Sequence, residues 1–401
     1  MGEANGITWK LRRLTAMSPS EVLLRLGRGA RNRLRKGTEP TPFAATLRAR
    51  DAVAGDWATE DLESRLVREH DASRFTLLRG AHEATRLRAA LAELGLVPED
   101  TVAAAESIME GRVKAFGWTA LDIGSEPDWL LDPVSGSKWP MAYWADVDFR
   151  SSDTLGDPRY VWEVNRHHHL VTLARAYALT GDRRYAERVW SDIRSWNESN
   201  PPQFGINWAS AMEVAIRMVS WSLAIDVVGT AGAERGDAAS LASSLSLQAR
   251  HVSDNLSVYA SSKNNHLIGE AAGLLVMGAK FPFFKGARYW IRRGRAVLER
   301  ELAAQVSCDG VTREQALHYE AFVLEFALLA AVALGASGTG MGRESAETVG
   351  KMSSFLAAAA GTSGAPPAIG DSDGGRAYEL SEHPDRQAAE AIACASLVSR
   401  S

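Results

Sequence analysis

A regular succession of helix-length apolar patterns, each ended by a short breaker, runs from residue 158 to residue 360. Apolar residues recur there with the period of an α-helix, and no segment shows the period of a β-strand. The pattern predicts helices at 159–180, 183–197, 206–228, 237–259, 266–279, 286–306, 313–335 and 344–360. Helices of this length with short connections form antiparallel hairpins. Large residues on more than one helix side, such as Trp190, Trp196 and Trp221, favour packing in two layers. An (α/α) toroid and a superhelical stack of helix pairs both fit this all-α pattern.

The residues on both sides of this helical region have a different sequence pattern, so the sequence predicts three parts. Residues 1–114 form a smaller helical region with a basic arm, and residues 115–365 form the main domain. Residues 366–401 form a turn-rich link, which we expect to be the start of a truncated C-terminal domain. Further helices are predicted at 18–36, 59–70, 79–95, 99–113 and 386–398, and a long aromatic loop at 117–157.

Charge and apolar content restrict the partners of the chain. The net charge of −4 over 401 residues gives no indication of a nucleic-acid partner. Uninterrupted apolar runs stay below the roughly 18 residues that cross a bilayer, so we expect no transmembrane segment. The first residues lack the apolar stretch of a signal peptide, which predicts a cytoplasmic protein, or a periplasmic or secreted one if an export signal was removed. The sequence leaves the oligomeric state open.

Residues 10–36 are strongly basic, with Glu21 as their only acid and several leucines interleaved. The ordinary interpretation is a solvated helix that packs by one face on its own domain. A basic amphipathic helix can also lie peripherally on an anionic membrane or hold an anionic polymer.

The first motif with chemical potential is Trp162-Glu-Val-Asn-Arg-His-His-His169. On one continuous helix, Trp162, Arg166 and His169 share a face. An aromatic ring can stack on a sugar, and a guanidinium can hold a carboxylate through two hydrogen bonds. The alternative is a buried, paired Arg166 beside a ring-packing Trp162. Three consecutive histidines point in different directions, so we expect no metal site.

Two further motifs allow a structural or a functional interpretation. Asn207-Trp208 precedes Glu213 and Arg217, whose i, i+4 spacing predicts an ion pair that belongs to the scaffold or orients a substrate-facing group. Asn265-His266 lies where a loop enters a helix. An asparagine there is an ordinary N-cap, or it holds an anionic group together with free backbone N–H groups.

The last motif runs from Arg313 through Glu314 and Tyr319 to Glu320. Tyr319 falls on an apolar helical stripe with Phe322 and Phe326, which favours a core tyrosine when the motif is considered alone.

Taken in order, these pieces resemble the heparinase II/III-like polysaccharide lyases, which include alginate lyases. The resemblance covers roughly residues 115–380 and rests on the WExNR run at 162–166, the set at 207–217, Asn265-His266, the 314–319 run and Gly370-Asp-Ser-Asp373. It implies an (α/α) toroid, incomplete here, followed by a β-sandwich domain that this chain lacks. It also implies β-elimination on an anionic, uronic-acid-containing polysaccharide, which needs no metal or organic cofactor.

The resemblance assigns roles to particular residues. Asn265 matches the position that neutralises the substrate carboxylate, Tyr319 matches the catalytic acid, and His266 belongs to the site in alginate-cleaving relatives. The predicted substrate-binding residues are Trp162, Asn165, Arg166, His169, Asn207, Trp208, Glu213, Arg217 and Glu314.

Elementary chemistry explains why these residue types suit a lyase. The proton beside an ionised carboxylate is weakly acidic, so a preorganised amide such as Asn265 must first offset that charge. Tyrosine has a pKa near 10 and is an acid at neutral pH. It becomes a base only if cations such as Arg166 or Arg313 lower that pKa. The base is therefore Tyr319, His266 or a residue of the missing domain.

Two departures from the family open other functions. Relatives often have histidine where this chain has Glu320, and the β-sandwich normally supplies a further catalytic histidine. We therefore expect weak or no lyase activity from this chain alone. The alternatives are a non-catalytic module that binds an acidic polysaccharide, a helical scaffold, and a glycoside hydrolase that uses Glu163, Glu213 or Glu270.

Overall fold

The computed structural model describes residues 17–36, 83–93, 95–117, 119–150, 155–259 and 264–398, together with residues 52, 53, 64 and 68. The predicted helix at 59–70 lies almost wholly outside the described residues. The N-terminal elements are α1 (Pro19–Lys36), α2 (Glu83–Glu93), α3 (Pro98–Met109), β1 (Arg112–Ala115) and β2 (Thr119–Asp122). The main region contains α4 (Pro158–Asn165), α5 (His168–Thr180), α6 (Arg183–Ser199), α7 (Ala211–Val228), α8 (Asp237–Asp254), α9 (Asn265–Lys280), α10 (Ala287–Gln305), α11 (Leu317–Ala336) and α12 (Arg343–Ala360), and α13 (Gln387–Val398) follows it.

From α5 onward the helices alternate between an inner and an outer layer. In the inner layer α5 packs on α7, α7 on α9, α9 on α11, and α11 on α13. In the outer layer α6, α8, α10 and α12 each pack against the inner helix that precedes them. The predicted all-α fold, an incomplete (α/α) toroid of helical hairpins, is confirmed.

The sequence of each helix explains its layer. The inner helices α7, α9 and α11 are buried on nearly all sides, while the outer helices α6 and α10 bury one face and carry charges on the other. Each fully buried leucine or phenylalanine contributes about 1.5–3 kcal/mol, so an all-apolar helix is most stable between two layers. Gly273 lets α9 approach α7, because a β-carbon there would lie 2.7 Å from the Ala215 Cβ.

Helix α11 is long and apolar enough to cross a membrane by length and composition, with a mean hydropathy of 1.7 over its best window. In the structure 72% of that window is buried. The core helix of a layered helical fold passes the same test, and α11 is packed in that way.

The single helix predicted at 159–180 is wrong, because the chain breaks at His167. Its φ angle of 60° is left-handed, so α4 ends at Asn165 and α5 begins at His168 in a new direction. The His167 ring is fully buried, and its Nδ1 accepts a hydrogen bond of 2.8 Å from Trp221 Nε1. A buried contact 54 residues away thus holds a backbone conformation that local periodicity does not reveal.

The predicted helix at 99–113 also ends early. Gly111 has a φ angle of 86°, and the chain turns there into an antiparallel hairpin with Arg112 opposite Asp122 and Ala115 opposite Thr119. The first residues of the predicted aromatic loop form β2, and the described remainder of that loop is mostly irregular, with a 3-10 turn at Trp144–Asp146.

Helix α1 packs on the toroid through its arginines. Arg28 Nη2 donates to the Leu256 carbonyl oxygen at 2.7 Å, and Arg31 Nη2 donates to the Asp254 carbonyl oxygen at 2.6 Å. The guanidinium carbons of Arg25 and Arg28 lie 4.2 and 4.6 Å from the centre of the Tyr259 ring. The basic arm therefore packs by its polar face, while leucines such as Leu23 face outward.

The segment after α12 returns to the toroid. The Ile369 carbonyl oxygen accepts a hydrogen bond of 3.0 Å from the Leu317 backbone N–H at the start of α11. Further along, the Ala377 N–H donates to Glu325 Oε2 at 2.8 Å, and Arg175 contacts Glu382. This link therefore brings residues 370–375 to the N-terminal end of α11.

Candidate functional site

The N-termini of α9 and α11 meet at Asn265 and Glu314. The Asn265 backbone N–H and its Nδ2 donate to the two Glu314 carboxylate oxygens, at 2.9 and 3.0 Å. Asn264 caps α9 through a bond of 3.3 Å from the His266 N–H. Asn265 is 4% exposed, and its Oδ1 has no hydrogen-bond partner among the described residues. The ordinary capping role therefore belongs to Asn264, which leaves Asn265 held for another purpose.

Tyr319 lies in the first turn of α11 and is half-buried. Its pKa is raised well above the usual value, first by burial and then by the negative charges of Asp373, Asp371 and Glu314. A hydrogen bond to Asp373 raises it further. None of these causes lowers the pKa toward the range in which a tyrosine acts as a base. A protonated hydroxyl suits the role of a general acid.

Asp373 and His318 surround Tyr319, and sequence reasoning assigned a role to neither. The His318 Nε2 lies 3.7 Å from Asp373 Oδ1. Burial alone would raise the pKa of Asp373, but the neighbouring His318 and Arg166 hold it well below its usual range. The Gly-Asp-Ser-Asp link at 370–373 was the only sequence signal for this carboxylate.

Arg166 is buried between two carboxylates. Its Nε and Nη2 donate to the two oxygens of Glu213 at 2.7 and 3.0 Å, and its Nη1 donates to Glu163 Oε2 at 2.5 Å. The predicted bidentate grip on a carboxylate exists, but the carboxylate is Glu213 of the protein itself. The buried, paired alternative for Arg166 is the one observed.

The predicted ion pair between Glu213 and Arg217 is wrong. Arg217 is fully buried, donates to Gln248 Oε1 at 2.9 Å and to the Asn207 carbonyl oxygen at 3.2 Å, and lies over the Trp196 ring. Burial lowers the pKa of Arg217 to about 9. Its side chain belongs to the core, so it does not face a ligand.

Four other predicted contact residues are also enclosed. Asn165 is 2% exposed and joins Trp196 to the Trp129 carbonyl oxygen, which Asn207 Nδ2 also contacts. Trp208 is fully buried. His169 Nε2 lies 3.2 Å from Asp192 Oδ2, and the helix break removes it from the Trp162 face. Each of these four side chains is enclosed in the scaffold that supports the site, and their contact with substrate stays a prediction.

A cleft of about 440 Å³ opens beside His266. Its described lining contains Arg25, Arg28, Trp144, Phe149, Arg150, Trp162, Ala209, Ser210, Ala211, His251, Asn255, Ser257, Tyr259, Asn264 and His266. Three arginines and four large aromatic side chains face it, and no aspartate or glutamate occurs among these described lining residues. Guanidinium groups can hold an anionic group, and aromatic side chains can stack on a flat ring.

His266 lines this cleft, and it shares Asp373 with Tyr319 as an electrostatic neighbour. It interacts electrostatically with Glu213, Asp373 and Arg166, and burial lowers its pKa. The imidazole is therefore neutral at pH 7 and can accept a proton. Of the cleft residues, the sequence motifs predicted Trp162 and His266. They did not predict Arg150 or Tyr259, although Arg150 lies in the predicted aromatic loop at 117–157.

The three consecutive histidines do not form a metal site. His167 contacts Trp221, His168 Nδ1 lies 3.4 Å from the Ser220 hydroxyl, and His169 contacts Asp192. In the part of the chain that the structure describes, no group of three histidine, cysteine, aspartate or glutamate side chains could hold a metal ion.

Fold and cleft together define a helical toroid protein with a basic, aromatic site. The family model described as the heparinase II/III N-terminus matches residues 75–373, and the chain belongs to this family. The family predicted from the sequence motifs is thus confirmed.

Particular relatives are lyases. The chain is 26% identical over 177 residues to a heparin-sulfate lyase of Bacteroides thetaiotaomicron. This match covers 43% of this chain and 25% of that protein. It is 25% identical over 225 residues to the heparin-sulfate lyase of Pedobacter heparinus, which covers 54% of this chain and 30% of that protein. The matches thus span less than a third of these curated relatives.

Solved structures show the same fold. The heparan sulfate lyase HepC of Pedobacter heparinus aligns with a TM-score of 0.53 at 18% identity, over 74% of this chain and 43% of that one. A heparinase III with methylated lysines aligns with a TM-score of 0.51 at 19% identity, over 74% of this chain and 44% of that one.

Proposed function

We propose that this chain is the helical part of a polysaccharide lyase that cleaves an anionic, uronic-acid-containing polysaccharide by β-elimination. The observation that carries the proposal is the cleft in which three arginines and four aromatic side chains lie with His266, the neighbour of Asn265 in the first turn of α9. The arginines match the charge of a polyuronate, and the rings match its sugar faces.

The reaction needs an electrophilic group, a base and an acid. An amide nitrogen carries two hydrogens, and Asn265 gives one of them to Glu314, so we assign the other to the substrate carboxylate. His266, with its lowered pKa, is our candidate for the base that removes the C5 proton. As the C4–O4 bond breaks and the C4–C5 double bond forms, Tyr319 gives its proton to the leaving oxygen.

The rival glycoside hydrolase receives less support. It needs a carboxylate at the cleft, yet Glu163 and Glu213 are occupied by Arg166. Glu270 is fully buried and accepts bonds of 2.6 and 2.7 Å from the Ser257 N–H and hydroxyl. A non-catalytic polysaccharide-binding module that uses the same cleft is the second candidate. The observation that favours it is that Arg166 makes its hydrogen bonds to Glu163 and Glu213 of the protein itself.

The test is to mix the purified chain with heparan sulfate, alginate and hyaluronate and to follow the ultraviolet absorbance of the unsaturated uronate product. We expect the wild-type chain to form product slowly and Tyr319→Phe to lose at least about a hundredfold in rate, since general acid catalysis supplies about 10²–10⁴-fold. Product formation that is unaffected by Tyr319→Phe contradicts the assigned acid. Binding without product on any polymer favours the binding module.

A further inference from the structure

A second cavity of about 500 Å³ lies along α1. Its described lining is Leu23, Leu24, Gly27, Arg28, Arg31, Ser253, Asp254, Leu256, Val258, Tyr259, Tyr289 and Arg293. Arg28 and Tyr259 line both spaces, so the cleft and this cavity meet at one shared pair of side chains.

Arg28, the arginine of the shared pair, is held by a carbonyl oxygen and by the tyrosine ring. Arg28 donates to the Leu256 carbonyl oxygen and lies 4.6 Å above the Tyr259 ring. Arg31 is fixed in the same way on the Asp254 carbonyl oxygen. Guanidinium groups that are already oriented lose less entropy when they bind a ligand, so this arrangement is suited to recognition.

The second cavity has the same chemistry as the cleft. Arg28, Arg31 and Arg293 face it against a single carboxylate, Asp254. Tyr289 on α10 is 45% exposed and offers a ring surface. A cavity of this size holds a ligand larger than one sugar ring, because sites of about 300–1,000 Å³ accept molecules of several rings.

We infer that the second cavity is an extension of the polysaccharide site, which binds a further stretch of the same anionic chain beyond Arg28 and Tyr259. This inference rests on the proposed function and specifies how long a substrate the site recognises. Binding of remote sugar units would supply free energy that positions the reacting unit at Tyr319.

The experiment compares short and long ligands. Affinities of size-fractionated uronate oligosaccharides from heparan sulfate and from alginate, disaccharides to dodecasaccharides, are measured by titration calorimetry. We expect wild-type affinity to rise about tenfold or more between the short and the long fragments. The double variant Tyr289→Ala/Arg293→Gln should lose most of that gain and bind the short fragments as wild type does. Arg28→Gln should weaken the binding of both, because Arg28 lines both spaces.

Arg288→Gln is the matched control, because Arg288 is an exposed arginine of the same helix outside the cavity lining. A double variant that keeps the full gain with length overturns the extension, and so does a wild-type chain whose affinity does not change with length. In both cases the proposed function survives, since short fragments still bind. A wild-type chain that binds no fragment of any length contradicts the proposed function itself, and circular dichroism of each variant checks that it is folded.

Discussion

At the scale of single residues, burial raises the pKa of Tyr319 most, and carboxylates from separate segments raise it further. Asp373 comes from the link after α12, and Glu314 comes from the turn before α11. Their charges and the burial of the ring all favour the neutral phenol, which is the form that donates a proton.

We predict that Asp373→Asn lowers the pKa of Tyr319 toward its ordinary value of 10.0, because the change removes a negative charge and a hydrogen-bond acceptor. Ultraviolet difference titration of tyrosinate, with Tyr319→Phe to identify the signal, measures this shift. Ser372→Ala, an exposed neighbour in the same link, should leave the pKa unchanged. An Asp373→Asn pKa equal to the wild-type value would show that burial alone sets it.

The sequence motifs predicted which residues belong to the candidate site better than they predicted which side chains those residues contact. Motif order identified Asn265, His266 and Tyr319; His266 lines the cleft, and the substrate roles of all three stay predictions. It paired Glu213 with Arg217, because helical spacing only considers residues on the same helix. The actual partner of Glu213, Arg166, lies 47 positions away in the sequence. Tertiary contacts of this kind have no local signature.

At the scale of elements, the spacing of the inner helices depends on small residues. Helix α9 packs on α7 with Gly273 against Ala215. Helix bounds were readable from periodicity in α6 and α12, but the break at His167 and the contact distance between neighbouring helices were not.

Two glycine-to-alanine changes should have opposite signs. At Gly273 the new β-carbon would meet Ala215 at 2.7 Å, so we expect a loss of about 1–3 kcal/mol in the free energy of unfolding. At Gly350, exposed in α12 with no atom within 4 Å, alanine should stabilise the helix by about 0.5–1 kcal/mol. Urea unfolding of both variants measures the difference. Equal changes in the free energy of unfolding for the two variants would mean that α7 and α9 can move apart without loss of stability, which contradicts the prediction.

At the scale of the whole molecule, buried carboxyl groups connect the segments. Burial raises the pKa of Glu325 to about 8, and Glu325 accepts the Ala377 N–H where the chain returns to the toroid. Burial likewise raises the pKa of Glu270 to about 7. Both are protonated in the folded chain at a pH where the unfolded chain has ionised them.

This difference predicts a pH dependence of stability. The folded pKa of Glu325 lies above its ordinary value of 4.5, so its contribution is complete below pH 4.5 and is lost as pH rises through about 8. Glu325→Gln should therefore remove a slope of about 1.4 kcal/mol per pH unit in that interval. Buried neutral histidines such as His168 act in the opposite direction, so the wild-type-minus-variant difference in unfolding free energy is the quantity to measure. A difference that does not vary with pH contradicts the prediction.

The uniform charge of the cleft lining also affects how fast a polymer arrives. Arg25 pairs with Glu21 at 2.8 Å, so we expect the electrostatic attraction of a polyanion before contact to come chiefly from Arg28 and Arg150. Raising ionic strength from about 0.01 M to about 1 M shortens the screening length from about 30 Å to about 3 Å. Stopped-flow association of a long uronate fragment should then slow by at least about tenfold, with a smaller change in its dissociation rate. Arg150→Gln should reduce this salt effect and Arg288→Gln should not. Under the proposed function, the same electrostatic attraction raises the concentration of polyanion near the cleft. A long fragment that dissociates therefore rebinds more often than a short one.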